Sequence, residues 1–312
     1  MAHAQALGTH GAVMSILEDG RLHLQHGPID CVIQAWGVAH EVRAAYHQVG
    51  EFFADLLPTL VRELTQLRTP LGETYPQIVC HTAQRMVSAT WPYRSRLITP
   101  MAAVAGAVAD TLLHALVQDR HIEKAYVNDG GDIALHLAPG AALDVGIAAD
   151  PNNAWLNGQC RVHAHDTIRG VATSGWQGRS QSLGIADAVT VLADCAANAD
   201  AAATMIANAV NVDHCAIHRL PAHQVKHDSD LGEQLVTVAV GTLPQHEIDL
   251  ALDHGLLYAN DLFERGLIQG ACLHLQGYVR ICGLTQHQAA VTPTLQHLQY
   301  HSTGLFDRGL SS

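Results

Sequence analysis

The stretch 101–117 is apolar on every side, broken only by Asp110 and His114. A helix of that kind has no solvated face and must be enclosed by other elements. The two polar breaks argue for a core helix of a globular fold, not for a membrane span. Gly106 lies inside it, at a cost of about 1 kcal/mol relative to Ala. Small residues there let the helix lie close to a sheet or a ligand. Enclosing it takes a sizeable chain, and 312 residues suffice for one large domain or two interlocked subdomains without cross-links.

The rest of the sequence supplies the enclosing layers. Met14, Ile16, Leu22 and Leu24 alternate about Asp19-Gly20, a pair suited to a tight hairpin turn. Residues 31–36 continue that sheet. Val42, Tyr46, Val49, Phe53, Leu56, Leu60 and Leu64 fall at helical spacing, with Pro58 expected to kink or divide the helix. A second helix is predicted near 81–87. Strand-like runs follow at 125–128, 133–137, 143–148, 161–165, 168–173 and 188–192. The spacing then predicts a helix over 198–209, a strand over 235–240 and an amphipathic helix over 247–265, stopped by Gly266. Residues 271–275 and 278–282 form a closing hairpin. The polar tail, 284–312, is expected to be loosely held. No repeat or composition break divides the chain, so residues 1–312 read as one domain. Strands and helices mix without strict βαβ alternation, which favours α+β.

Charge narrows the function. Charged residues make up 15% and hydrophobic ones 48%, excluding gross disorder. Net charge is −12 with His neutral, and only Lys124 and Lys226 are lysines. That argues against a nucleic-acid binder, since phosphate neutralisation needs basic surface. The 7 cysteines are scattered without a C-x-x-C, as expected of free thiols in a reducing compartment. The N-terminal residues show no basic segment followed by an apolar run. The expectation is a cytoplasmic protein with a small-molecule substrate and no nucleic-acid or membrane partner. A homo-oligomer is compatible with it.

Three strings carry candidate chemistry. Asn128-Asp129-Gly130-Gly131-Asp132 joins two strand-like runs. Paired glycines let backbone N–H groups approach an anion, and Asp132 is placed to accept from a sugar or base edge. The same string is equally a tight β-turn. Thr173-Ser174-Gly175-Trp176-Gln177-Gly178-Arg179-Ser180 ends a strand with hydroxyls, glycines, an aromatic face and a guanidinium, the makings of a clamp for a planar ring plus an anion. No G-x-S-x-G elbow surrounds Ser174, which makes it a ligand donor sooner than a triad nucleophile. An ordinary polar loop has this composition too. Asp200 and Thr204, four apart on a helix, share a face and offer hard oxygens suited to Mg²⁺. A solvated helix face accounts for them equally. His163 and His165 share a strand face, but two ligands do not make a zinc site.

In order, these strings resemble the ApbE superfamily of flavin transferases. Ala103-Val104-Ala105-Gly106-Ala107-Val108-Ala109-Asp110 is similar to that family's I-A-K-G-Y-A-V-D helix. Residues 127–133 are similar to V-N-A-G-G-D-I, Val145-Gly146-Ile147-Ala148-Ala149-Asp150-Pro151 to V-G-I-x-D-P with one insertion, and Ala172-Thr173-Ser174-Gly175 to A-T-S-G. Ala199-Asp200-Ala201-Ala202-Ala203-Thr204 is similar to A-D-A-L-S-T, whose Asp and Thr hold magnesium in the family. Two features depart: Ala105 stands where the family has Lys, and the H-I-I-D-P-x-T-G segment is absent. The chain is most similar to a less-characterised branch with T-P-M-A-A-V-A-G-A-V-A, T-S-G-W-Q-G-R-S, S-D-L-G and E-R-G-L-I.

The resemblance implies an ApbE-like fold, mixed sheets packed by helices around a central cleft. It implies a flavin nucleotide, FAD or FMN, with Mg²⁺ on Asp200 and Thr204. Asn128, Gly130, Gly131, Asp132, Thr173, Gly175 and Trp176 then bind the nucleotide, and Ser174 and Arg179 contact phosphate. The expected reaction is phosphoryl-group transfer or cleavage of the pyrophosphate of FAD. Two alternatives stay open. One is catabolism of a small planar heterocycle, with Asp187 or Ser174 as catalytic groups and Arg179 or Arg94 on a substrate carboxylate. The other is a non-catalytic flavin-binding protein.

Overall fold

Period-two alternation builds the frame. The computed structural model describes residues 5–7, 11–148, 156–283 and 289–291. Four strands open the chain: β1 (Gln5–Leu7), β2 (Ala12–Ile16), β3 (Leu22–His26) and β4 (Ile29–Gly37). Helices α1 (Ala39–Val61), α2 (Leu64–Leu67), α3 (His81–Thr90) and α4 (Val104–Val117) follow. Next come β5 (Ile122–Asp129), β6 (Asp132–Leu137), β7 (Ala142–Ala148), β8 (Leu156–His163), β9 (Gly170–Ser174) and β10 (Ala188–Ala193). The chain continues through α5 (Ala196–Ala209), β11 (Ile217–Pro221), α6 (Ala222–Val225), β12 (Leu235–Val240), α7 (Gln245–Glu264), β13 (Gly270–Leu275), β14 (Tyr278–Cys282) and β15 (Ala289–Val291).

Ten strands form one sheet in the order β1-β2-β3-β4-β5-β6-β9-β10-β13-β14, with antiparallel neighbours throughout. A second sheet runs β15-β8-β7, and β11 pairs with β12. The fold is α+β. The two faces of the large sheet have separate cores. Ala134, Ala172, Val189 and Leu273 face the helices. Leu135, Val171, Leu192 and Cys272 face the other way, against Val145, Cys160 and Val162 of the small sheet.

Helix α4 is enclosed as its apolar surface requires, with α1, α3 and α5 around it and β5 and β6 beneath. The run begins as a 3₁₀ turn, Pro100–Ala103, before the α-helix. The segment Pro100–Val117 is long and apolar enough to cross a membrane, but 67% of it is buried inside the fold. Pro58 does not divide α1, which runs on to Val61. The proline stands in the last turn, where its missing N–H removes a single ladder bond, and the break falls after it, at Arg62-Glu63. The strand predicted over 161–165 ends at His163, because Asp166 turns back to accept the His163 N–H at 2.7 Å. All 7 cysteines are free thiols. Of the tail, residues 284–288 and 292–312 lie outside the described residues.

Candidate functional site

The N-D-G-G-D string is a two-residue hairpin turn. Asp129 and Asp132 face each other across β5 and β6, and Gly130 and Gly131 take φ of +65° and +114°. Side chains at such opposed positions share a sheet face, and both carboxylates are buried on the helix side. The Gly131 N–H donates to Asn128 Oδ1 at 2.9 Å. The loop after β9 lies over this turn: a Cβ on Gly130 would stand 3.0 Å from Arg179 Nη1. Exposed Arg179 donates to the Pro28 carbonyl at 3.0 Å.

Helices α4 and α5 meet beside that turn at unusually close range. A Cβ on Gly106 would lie 2.3 Å from the Ala196 carbonyl oxygen, so only glycine allows the approach. Each helix then caps the other. Asp110 of α4 accepts the Ala196 and Ala197 N–H groups at 3.0 and 2.9 Å, covering the start of α5. Asp200 of α5 accepts the Gly106 N–H at 3.0 Å, in the first turn of α4. Free N–H groups and the positive end of the helix dipole favour a carboxylate at both places. Thr204 follows one turn after Asp200, half-buried on the same helix face.

Crowding sets the electrostatics. Burial pushes Asp200 up to about 7, the Gly106 N–H opposes this, and the Asp129 charge adds to it. Burial pushes Asp129 up to about 6, with the Arg179 guanidinium pulling the other way. Burial raises Asp132 well above the carboxylate range, and the Asp200 and Asp129 charges push in the same direction. The Thr173 N–H, donating to Asp132 Oδ1 at 3.3 Å, opposes that rise. The carboxylates of Asp129, Asp132 and Asp200 are thus within reach of one another's charge, with Asp200 seated on the first turn of α4.

The β9 residues divide between the sheet faces. Ser174 alternates onto the face of Ala172 and Asp132. Thr173 points the other way, its hydroxyl 2.9 Å from that of Thr190. Gly175 packs against the Asp187 backbone, where a Cβ would meet the carbonyl oxygen at 2.2 Å. The Trp176 indole N–H donates to Asp187 Oδ1 at 3.2 Å, and Asp187 Oδ2 accepts the Gln276 N–H at 2.5 Å. Asp187 therefore ties this loop to the β13–β14 turn. Nearby, Thr99 donates to Asp230 and Ser229 to Gln181, bringing T-P-M, S-D-L-G and the loop after T-S-G-W-Q-G-R-S together. His163 and His165 stack ring on ring at 5.2 Å, and among the described residues no three His, Cys, Asp or Glu side chains group as metal ligands. Ala149, Asp150 and Pro151 lie outside the described residues.

Sequence reasoning passed over two members of this arrangement. Asp129 was legible: in a two-residue hairpin, the residues flanking the turn face each other. Asp110 was legible as a carboxylate in an otherwise apolar helix, which needs a buried donor.

The class of protein is an α+β fold with a carboxylate-lined helix-start site beside a glycine turn. The "AbpE bacteria" family model matches residues 14–281, and the chain belongs to that family, within the ApbE superfamily. Among curated proteins it is similar to a UPF0280 protein of Methanothrix thermoacetophila, 41% identical over 117 residues, 37% of this chain and 48% of the relative. A UPF0280 protein of Methanospirillum hungatei is 32% identical over 166 residues, 52% and 64% of the two chains. The chain spans about half the length of the curated relatives it matches. These relatives represent the less-characterised branch. Among solved structures, the ApbE protein of Thermotoga maritima has a TM-score of 0.40 at 12% identity, over 68% of this chain and 88% of that one. The apo flavinyl transferase ApbE of Pseudomonas stutzeri has a TM-score of 0.43 at 12% identity, over 90% and 94%.

Proposed function

We propose that the chain is a Mg²⁺-requiring enzyme that cleaves the pyrophosphate of a flavin dinucleotide, FAD and water giving FMN and AMP. The observation that supports this most is Asp200 seated on the first turn of α4 within reach of the Asp129 and Asp132 charges, with Arg179 laid over the Gly130 turn between those two aspartates. Crowded carboxylates that raise one another's pKa fit a site completed by a cation. Asp200 and Thr204 would hold Mg²⁺, leaving water and substrate phosphate as its remaining ligands, the usual arrangement for this ion. Its chemistry there is neutralisation of charge on phosphate.

The protein's own groups do the rest. Arg179 offers a planar fork to a phosphate. Ser174, on the same sheet face as Asp132, donates a hydroxyl hydrogen bond. Asp132 accepts from the nucleotide, and the Gly130-Gly131 turn leaves no side chain to obstruct it. Asp187 positions Trp176 for stacking on a ring. Water attacks one phosphorus and forms a new P–O bond as the bridging P–O bond breaks; the departing phosphate takes up the electron pair, and the water's proton is released to solvent. Transfer of FMN to a protein threonine is not expected, since Ala105 stands in place of lysine and the H-I-I-D-P-x-T-G segment is missing.

The test is incubation of the purified protein with FAD, with and without Mg²⁺, read by chromatography. The expected result is FMN and AMP in equal amounts, only with Mg²⁺, and lost in Asp200→Asn. Intact FAD under all conditions would refute hydrolysis. Covalent flavin on an added acceptor protein, seen by mass, would show transfer instead.

A further inference from the structure

Toward the end of α4, away from the Gly106 turn that Asp200 caps, lies a groove of about 770 Å³ between α1, the 75–78 loop, α3 and α4. Its size is that of a small-molecule site. In a chain with 29 acidic and 17 basic residues, no acidic side chain lines it. Arg85, His81 and His114 do line it. Exposed Arg85 makes no hydrogen bond or ion pair among the described residues; its field reaches Asp110 behind the groove. A guanidinium free of acceptors at the rim of a cavity is available to an anion.

The walls are aromatic and fixed. Phe52 and Tyr75 are 45% and 43% exposed, both in the groove. Tyr75 packs edge-on against Trp91 at 4.9 Å, so its ring is held before any ligand arrives. Gln84 donates to the Ile78 carbonyl at 2.9 Å. Glu63, between α1 and α2, accepts the Val79 and Cys80 N–H groups at 2.7 and 2.9 Å, which pins the end of the loop and the start of α3 to that junction and engages the carboxylate there. Gln48 holds the end of α4 through the Ala115 and Gln118 carbonyls at 2.7 and 2.9 Å.

We infer that this groove is a second binding site, separate from the carboxylate cluster, for a planar aromatic carboxylate whose ring lies between Phe52 and Tyr75 and whose anion meets Arg85. The apolar walls supply ring burial, and the cationic rim discriminates for charge.

The probe is 2-naphthoate, titrated by its own fluorescence, with neutral 2-naphthamide as the control. Saturable binding is expected, at least tenfold tighter for the acid than for the amide. Arg85→Gln should weaken the acid by about ten- to a hundredfold and leave the amide unchanged. Ser88→Trp, which fills the groove from exposed α3 surface, should abolish both, with circular dichroism unaltered. Saturating FAD and the Arg179→Gln variant should leave naphthoate affinity unchanged. Equal affinity for acid and amide, indifference to Arg85→Gln in the folded variant, or displacement by FAD would each overturn the assignment.

Discussion

One helix borders two unlike environments, one near its start and one near its end. Near its start, at Gly106 and Asp110, α4 presses against α5 at backbone contact distance, and Asp200 caps its first turn. Further along, from Thr111 to Gln118, it borders an open groove rimmed by Arg85. The first side is closed and negative, with backbone groups consumed by caps. The second is open, with the Arg85 guanidinium uncommitted. A tight seam is where a substitution damages the fold. An open groove is where it changes what is bound.

The largest expected effect breaks the seam. Gly106→Val places side-chain atoms where a Cβ already stands 2.3 Å from the Ala196 oxygen, and overpacking of this kind costs about 3 kcal/mol. Denaturant unfolding should show that loss, whereas Ser88→Ala in the groove should stay within about 0.5 kcal/mol of wild type. Equal effects on the two sides would erase the contrast.

Next comes the reciprocal cap. Asp110→Ala leaves the Ala196 and Ala197 N–H groups unpaired in the core, a loss of about 2 kcal/mol. The urea midpoint reports it. A midpoint equal to wild type would mean that these N–H groups find other partners.

The third effect is a dependence on pH. Asp200 and Asp129 are raised in the folded protein to about 7 and about 6 from 3.8. The folded state therefore binds more protons than the unfolded one between pH 4 and 7. Metal-free stability should fall as pH rises through that window. Thermal unfolding from pH 5 to 8 checks the slope. Asp200→Asn should flatten it and raise the metal-free Tm at pH 8, because one buried charge is gone. A slope unchanged in Asp200→Asn would remove that residue from the cluster.

The smallest effect concerns the loop over the turn. Arg179→Lys keeps the charge but loses the fork, so FAD cleavage should drop about tenfold with Tm nearly unchanged. A lower Tm with unaltered cleavage would place Arg179 in the scaffold, through Pro28.

Much of this was legible in the sequence because local rules suffice for it. The Asp19-Gly20 hairpin, the apolar run enclosed as α4, and the strands on either side of N-D-G-G-D follow from alternation and turn residues alone. The site was legible in pieces, since Asp200, Thr204, Asp132 and Arg179 each stand in a recognisable string. What joins them was not legible. The approach of Gly106 to Ala196 and the exchange of caps between α4 and α5 are contacts between residues about ninety apart, which no periodicity encodes. Short β11 and the two elements at the chain's ends, β1 and β15, lack a run long enough to declare a period. The Arg85 groove was missed because its lining comes from three helices and a loop, with no string of its own.

The proposed function stands on Mg²⁺ held by Asp200 and Thr204. Calorimetric titration of the metal-free protein with Mg²⁺ at pH 8 tests it most directly, with Asp200→Ala measured alongside. Saturable binding in the wild-type protein and none in Asp200→Ala is the predicted result; the same Mg²⁺ affinity in both would contradict it.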